Sequence, residues 1–144
     1  MVRLSDYTKD YEQIVRNFSL FPEQSGFAID PNKLISLFES GDDLSMCVVL
    51  FEERPCGTVL IQSKGPLEYE MLSMMLDRNY QKRGIGKLAM LDMVQKMKNR
   101  KARKVMTTIS KGNVRGMDFL QKSGFKIKEE NDSTLKLEME IYYD

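Results

Sequence analysis

Apolar residues recur along the chain with two different periods, and each period predicts one kind of element. Residues 134–142 alternate between apolar and charged side chains, which predicts a strand whose buried face is formed by Leu135, Leu137, Met139 and Ile141. Residues 84–98 have apolar side chains at helical spacing, which predicts an amphipathic helix whose apolar face is formed by Ala89, Met90, Met93, Val94 and Met97. The whole chain divides into the order β, α, α, β, β, β, α, β, α, β, β.

Proline, glycine and capping residues set the predicted boundaries of these elements. Helices are predicted at residues 8–17, 31–40, 84–98 and 113–122, and strands at residues 2–4, 44–51, 58–62, 67–76, 105–109, 125–127 and 134–142. Thr8 is expected to cap the first helix, Gly41 to stop the second, and Gly124 to end the last in a left-handed conformation. Residues 21–26 are predicted to form a loop and residues 53–57 a hairpin turn.

The connections between strands predict the architecture of the sheet. The helix at residues 84–98 joins two apolar strands, so it forms a crossover and predicts a parallel pair there. Short turns join most other consecutive strands, which predicts antiparallel pairing. A chain of 144 residues is long enough to bury a core without disulfides. We therefore expect one α/β domain over residues 1–144, with a largely antiparallel sheet.

Composition and charge exclude several classes of protein. A net charge of +1 provides no global field for nucleic acid, so no nucleic-acid partner is expected. The basic stretch at residues 96–104 favours a solvated helix end over a nucleic-acid site. No apolar run approaches the roughly 18 residues that span a bilayer, so no membrane partner is expected. The N-terminus has no signal-peptide core, which predicts a cytoplasmic protein.

The chain contains no histidine, which removes Ser-His-Asp, Cys-His and His-metal chemistry at once. Cys47 and Cys56 are the only cysteines, and both fall in predicted strands, so we expect reduced, buried thiols. Nothing nearby supplies further ligands, and no metal site is expected. Any general base must therefore be a carboxylate, a tyrosine, a cysteine or water.

A glycine-rich turn follows the strand that ends at Leu76. The hexapeptide at residues 81–86 and the lysine after it read Gln81-Lys82-Arg83-Gly84-Ile85-Gly86-Lys87. Backbone N–H groups, the helix dipole and basic side chains at such a helix start favour a bound pyrophosphate, and glycine lets the phosphate approach the main chain. An ordinary strand–loop–helix connection is the alternative interpretation of the same residues.

The hexapeptide, with a second motif downstream, resembles the GNAT superfamily of acyl-CoA-dependent N-acetyltransferases. The family signature is Arg or Gln, two residues, Gly, any residue, then Gly or Ala, and residues 81–86 match it fully. The second motif is an Asn, a helix and then Gly-Phe, found here as Asn113 and Gly124-Phe125. The resemblance covers essentially the whole chain. It implies a mixed, mostly antiparallel sheet of about six to seven strands flanked by about four helices.

The resemblance also implies which residues hold acetyl-CoA. The backbone of Met74, Met75 and Leu76 would bond the pantetheine arm. Asn113 would hydrogen-bond the cofactor, and a plain helix N-cap is its alternative role. The pyrophosphate would lie on the turn formed by Gln81, Lys82, Arg83, Gly84, Ile85, Gly86 and Lys87.

The chain departs from the family pattern at the residue that reprotonates the CoA thiolate. Many members have a tyrosine seven residues after this asparagine, but Leu120 is found here, next to Phe119. The branch of the family that modifies protein N-termini uses an acidic residue on another strand. The matching position here is Thr108, whose hydroxyl is not a base at neutral pH. Glu70 lies four residues before Met74, as the catalytic glutamate does in the histone-acetyltransferase branch. Glu70 is therefore the candidate general base, and a surface glutamate beside Glu68 is the alternative.

The resemblance implies an enzyme that moves an acetyl group from acetyl-CoA directly to a primary amine. The acceptor would be a small molecule such as a polyamine, or the amine of a lysine or an N-terminus. Two alternatives are an acyl-CoA-binding regulatory module without turnover and a nucleotide-binding module. A cationic acceptor is favoured only if acidic residues line the acceptor cleft, the candidates being Glu39, Asp42, Asp43, Glu52, Glu53, Glu68 and Glu70. The acyl group and the choice between monomer and homodimer stay open.

Overall fold

The computed structural model describes residues 1–20 and 29–143. The strands of the described part are β1 (Val2–Asp6), β2 (Leu44–Phe51), β3 (Arg54–Gly65), β4 (Glu68–Leu76), β5 (Lys104–Ser110), β6 (Lys126–Glu130) and β7 (Thr134–Glu140). The α-helices are α1 (Glu12–Arg16), α2 (Pro31–Ser40), α3 (Ile85–Asn99) and α4 (Val114–Lys122). The chain therefore has the mixed α/β order that the periodicity predicts.

The seven strands form one sheet in the order β1-β2-β3-β4-β5-β7-β6. Strands β4 and β5 pair in parallel, and every other neighbouring pair is antiparallel. Helix α3 connects the two parallel strands, as a crossover must, because parallel strands cannot be joined by a tight turn. The predicted fold class, a mostly antiparallel sheet with one parallel pair, is confirmed.

The sheet separates two apolar cores, and side chains from alternate positions of its strands enter opposite cores. One core contains the apolar faces of α3 and α4, including Met93 and Leu120. The other contains Val15 of α1 with Leu34 and Ile35 of α2. The regular alternation on the inner strands is what assigns each residue of the sheet to one side.

The turn between β2 and β3 differs from the prediction. It consists of Glu52 and Glu53 alone, whose φ values of 50° and 64° are those of a two-residue hairpin turn. The predicted turn at residues 53–57 is wrong, because Pro55 and Gly57 belong to β3. A β-bulge accommodates them, since Leu50 pairs with Pro55 while Val49 pairs with Gly57.

Smaller differences affect the ends of other elements. The first helix begins as a 3-10 turn at Lys9–Tyr11, and the side chain of Thr8 makes no capping hydrogen bond. Strand β6 starts at Lys126 rather than at the predicted residue 125. Gly124 has the expected positive φ, 110°. The predicted loop at residues 21–26 lies outside the described residues. Among the described helices, none is long and apolar enough to cross a bilayer.

Candidate active site

Strands β4 and β5 separate after three paired residues. Their parallel ladder consists of three pairs and ends where Glu70 pairs with Met106. Immediately after this pair, β4 has a bulge at Leu72, because Met71 pairs with Ile61 and Ser73 pairs with Leu60. A bulge bends a strand and increases its twist. The rest of β4 therefore diverges from β5 and leaves the edge of both strands unpaired.

One side chain bridges the two strands at the point where they separate. The hydroxyl of Thr107 on β5 donates a hydrogen bond of 2.9 Å to the carbonyl oxygen of Met71 on β4. Thr107 is only 6% exposed, so this bond is shielded from water. The hydroxyl thus supplies a donor for Met71 where backbone pairing has ended. No motif or spacing in the sequence marks Thr107 for this role.

A cavity of about 460 Å³ lies between the separated strands and continues to the start of α3. It is lined by most of the residues expected to hold a cofactor: Met74, Met75, Leu76, Gln81, Lys82, Gly84, Gly86, Lys87 and Asn113. Gly116 and Arg115 line it as well, although the sequence did not single them out. Two segments that the sequence predicted to act together therefore meet in one cavity.

The N-terminus of α3 is built to accept an anion. Its cap is Gly84, with φ 78°, which has no side chain to occupy the first N–H groups of the helix. A Cβ added at Gly84 would have no atom within 4 Å, so open space lies above the backbone there. Lys82 and Lys87 add positive charge to the same end of the cavity. Unused N–H groups, the helix dipole and lysines together suit a phosphate group.

Gln81 holds the turn itself in place. Its side-chain amide donates a hydrogen bond of 2.8 Å to the carbonyl oxygen of Leu76, the last residue of β4. Asp77, which follows, is tied to β3 by a hydrogen bond of 2.7 Å from its backbone N–H to the carbonyl of Cys56. These bonds fix the path from the strand to the start of the helix, which brings the lysines to the cavity.

Two residues of the predicted cofactor set have side chains that lie elsewhere. Ile85 is 2% exposed and packs in the core with the apolar face of α3. The guanidinium of Arg83 stacks 5.6 Å from the centre of the Tyr80 ring and borders a separate surface depression. Neither Arg83 nor Ile85 is among the residues that line the cavity.

Asn113 has one of the two roles that the sequence left open, the helix cap, and its hydrogen bond to the cofactor stays a prediction. Its side-chain oxygen accepts a hydrogen bond of 2.9 Å from the N–H of Gly116, which caps α4. Asn113 also lines the cavity. A Cβ at Gly116 would lie 2.6 Å from the side-chain nitrogen of Asn113 and 2.7 Å from Ile109, so a larger residue there would displace one of these side chains.

Glu70, the candidate base, lies at the last pair of the parallel ladder, one residue before the bulged part of β4. Its carboxylate lies 3.3 Å from the ammonium of Lys64, and its side chain is 23% exposed. Met71, the next residue, is the first residue of β4 that lines the cavity, and Glu70 itself is outside the lining. A water molecule would have to connect this carboxylate to an amine in the cavity.

The described lining of the cavity contains no phenol that could protonate a thiolate. Leu120 and Phe119 line it at the position where the family has its tyrosine. Tyr69 stacks under Arg100 at 5.6 Å. The hydroxyl of Tyr142 donates to Glu140, which raises the pKa of that phenol, and the hydroxyl of Tyr143 donates to the carbonyl of Ala102. All three tyrosines lie away from the cavity.

The two cysteines are poor nucleophiles in this fold. Both are free thiols, and Cys56 is completely buried. Burial raises the pKa of Cys56 to about 11, and it also raises the pKa of Cys47. Within the described residues, no three histidine, cysteine, aspartate or glutamate side chains are grouped as metal ligands.

The charge around the cavity is basic. Its described charged lining residues are Lys82, Lys87 and Arg115. None of the acidic residues proposed for the acceptor cleft is a described lining residue, and two of them form ion pairs at the surface: Glu39 with Lys9, and Glu53 with Arg3. The condition for a cationic acceptor, a carboxylate among the lining residues, is therefore not met in the described part of the chain.

The sequence matches a known protein family over most of its length. A model of the acetyltransferase (GNAT) family matches residues 6–125. A search of curated protein sequences finds no match.

Several solved structures share the whole fold. The PaiA N-acetyltransferase of Thermoplasma acidophilum, in complex with coenzyme A, has a TM-score of 0.73 and 17% identity, over 97% of this chain and 99% of that one. A GNAT family acetyltransferase of Elizabethkingia anophelis with acetyl-CoA bound also has a TM-score of 0.73 and 17% identity, over 96% and 97%. A Bacillus subtilis acetyltransferase in complex with CoA has a TM-score of 0.72 and 18% identity, over 98% of each chain. At these identities the likeness concerns the fold.

Proposed function

Because the chain belongs to the acetyltransferase (GNAT) family, we propose that it transfers the acetyl group of acetyl-CoA directly to a primary amine. The observation that carries the proposal is the cavity that joins the unpaired edge of β4 to the N-terminus of α3, which has no side-chain cap. One end offers backbone hydrogen-bonding groups, and the other suits a pyrophosphate. Acetyl-CoA has an amide-containing arm and a pyrophosphate in the same order.

The described residues fit acetyl-CoA at both ends. The pyrophosphate would lie over Gly84, where the structure has open space, with Lys82 and Lys87 beside it. The pantetheine amides would pair with those backbone groups of residues 74–76 that face away from β3, since buried N–H and C=O groups need partners. Three structural relatives hold CoA or acetyl-CoA, and this is consistent with the same ligand here.

The reaction requires an amine nitrogen without its extra proton. The neutral amine attacks the thioester carbonyl and the new C–N bond forms; as the C–S bond breaks, the CoA thiolate leaves with the electron pair, and the nitrogen releases its remaining extra proton to solvent to give the neutral amide. Holding the two reactants in line replaces a bimolecular encounter and supplies much of the acceleration. A backbone N–H near Leu76 would stabilise the negative charge that develops on the carbonyl oxygen.

Glu70 is the proposed base, acting through one water molecule. The carboxylate accepts the proton of the ammonium, and it forms an ion pair with Lys64 of the neighbouring strand β3. The thiolate would take its proton from solvent, because the phenol position of the family is Leu120. This mechanism needs no metal, in agreement with the acyl transfer to an amine that the family carries out.

The deciding experiment measures thiol release from acetyl-CoA over a panel of polyamines, amino acids, aminoglycosides, alkylamines and N-terminal peptides. Calorimetry with CoA and with ATP is carried out in parallel. Amine-dependent thiol release with tight CoA binding would support the proposal. CoA binding without thiol release for any amine would instead favour a regulatory module, for which Leu120 is the strongest argument. Equal affinities for ATP and CoA would favour a nucleotide-binding module.

A further inference from the structure

The two ends of the cavity differ in chemistry, and the end away from α3 is apolar. Its wall is formed by Leu20, Ile29, Leu72 and Met75, which we call the apolar wall. All four belong to, or pack against, the core on the α1 and α2 side of the sheet. The basic residues of the lining lie at the starts of α3 and α4, which pack on the opposite side.

Because the apolar wall and the basic residues lie on opposite sides of the sheet, the cofactor and the acceptor amine would occupy different sides. A cofactor whose pyrophosphate lies on α3 would reach the bulge of β4 from the α3 and α4 side. Leu72 and Met75 contact the core of the other side, so the apolar wall is left for the group that approaches the thioester from there. The acceptor amine must approach the carbonyl carbon of the thioester, and its carbon skeleton would contact this wall.

Local bonds hold both outer residues of the apolar wall in position. Next to Leu20, the N–H of Ser19 donates to the buried carboxylate of Asp77 at 2.8 Å, and the N–H of Arg78 donates to the carbonyl of Ser19 at 2.7 Å. Next to Ile29, the carboxylate of Asp30 caps α2 by accepting from the N–H of Asn32 at 3.0 Å. The wall is therefore a built part of the fold.

From these observations, and resting on the proposed function, we infer that the acceptor is a primary amine on an apolar skeleton rather than a polyamine. A second ammonium group on the acceptor would lose its hydration against leucine, isoleucine and methionine side chains without a described carboxylate in the lining to pair with it. The cations of the lining, Lys82, Lys87 and Arg115, would also repel it. An alkyl or aryl group would instead bury apolar surface there.

The test compares n-hexylamine with 1,5-diaminopentane, two acceptors with equal numbers of non-hydrogen atoms that differ in a terminal methyl or ammonium group. We expect kcat/KM for hexylamine to exceed that for the diamine by about tenfold or more, after a factor of two for the two ends of the diamine. Lengthening a monoamine from butylamine to hexylamine should raise kcat/KM by roughly fourfold for each methylene that becomes buried.

Leu20→Glu places a carboxylate on the apolar wall and should reduce or reverse the preference for hexylamine. Leu37→Glu is the matched control, because Leu37 is an exposed leucine of α2 outside the cavity lining, and it should leave the ratio unchanged. Melting temperatures identify any variant that fails to fold. If Leu20→Glu does not fold, the ratio of kcat/KM for hexylamine to that for the diamine in the wild-type protein still decides the inference.

The outcomes separate this inference from the proposed function. A diamine that reacts as well as hexylamine, or an unchanged ratio in folded Leu20→Glu, would overturn the apolar acceptor while the acetyltransferase activity stands. Acetyl-CoA binding without thiol release for either amine or for the broader panel would overturn the proposed function itself, and the inference with it.

Discussion

The two halves of strand β4 meet the same neighbour in different ways. In residues 68–70 a regular parallel ladder joins β4 to β5, and the charged side chains of Glu68 and Glu70 form ion pairs with lysine and arginine side chains. In residues 71–76 the ladder is absent, and every side chain is neutral. The first half builds the sheet, and the second half lines a cavity.

This difference shows how a binding site arises from an interrupted sheet. The cost of leaving backbone N–H and C=O groups unpaired is high unless a ligand or water satisfies them. The fold limits that cost to a few residues, because the bulge at Leu72 begins the divergence and the Thr107 hydroxyl satisfies the first freed carbonyl. A ligand with amide groups can satisfy the remainder.

The largest expected effect concerns the paired half. Glu70→Gln preserves size and hydrogen bonding but removes the proposed base, so turnover should fall by roughly 10²–10⁴-fold. Affinity for acetyl-CoA should stay nearly intact. Steady-state kinetics from pH 5 to 9 with the best amine, together with calorimetry, measure both quantities.

Two control variants separate the base from the ion pair. Lys64→Met breaks the 3.3 Å pair and preserves the carboxylate, and Glu68→Gln changes a neighbouring glutamate that pairs with Arg103. Both variants should retain turnover. If Glu70→Gln behaves like these controls, the base lies elsewhere, or the amine arrives without its proton.

The next effect concerns the phosphate end of the open half. Gly84→Asn places a side chain in the open space over the backbone, and asparagine tolerates positive φ, so CoA affinity should fall by about tenfold or more with little loss of stability. Gly84→Val should lower both CoA affinity and stability, because a branched residue at φ 78° is strained. Calorimetry and thermal melts distinguish the two.

Gly65 provides the matched control for this position. It also has positive φ and open space at its Cβ position, but it lies at the far end of β3 from the cavity. Gly65→Ala should therefore lower stability without changing CoA affinity. Unchanged CoA affinity in a folded Gly84→Asn protein would contradict the pyrophosphate site.

A smaller effect tests the junction between the two halves. Thr107→Val preserves shape but leaves the carbonyl of Met71 without its donor, which should cost about 1–3 kcal/mol of unfolding free energy. The valine variant should also bind CoA less tightly. Thr107→Ser retains the hydroxyl, so it should recover most of that CoA binding. Urea denaturation measures the unfolding free energy, and steady-state kinetics measure KM for acetyl-CoA. Equal values in the valine and serine variants would contradict a role of the Thr107 hydroxyl at the junction.

The smallest effect concerns Cys56, which lies on β3 behind the open half. Its pKa is about 11 in the folded protein against 9.0 for an ordinary thiol, so the folded state retains the proton over the interval in which the unfolded state loses it. Stability should therefore fall as pH rises from 9 to 11, by about 1 kcal/mol at pH 10. Cys56→Ala should remove this part of the alkaline decline in urea titrations, and an identical decline in the variant would contradict the buried thiol.

The sequence by itself determined the order of the elements, the parallel crossover and the segments that would meet the cofactor. These features depend on residues that are close together in the chain. Periodicity selects strand or helix, and the handedness of the crossover follows from chain chirality. Gly84 at the start of α3 and Asn113 at the start of α4 could be found because helix starts have local signals.

Other features were decided only by the tertiary structure, because they depend on distances between residues far apart in the chain. The hydrogen bond from Thr107 to Met71, the ion pair that occupies Glu70 and the meeting of Leu20 with Met75 are of this kind. Even the hairpin turn moved to Glu52 and Glu53, since sheet pairing and a bulge overrode the local turn signals of Pro55 and Gly57. Local propensities are worth about 1 kcal/mol or less per residue, and pairing or burial across the fold outweighs them.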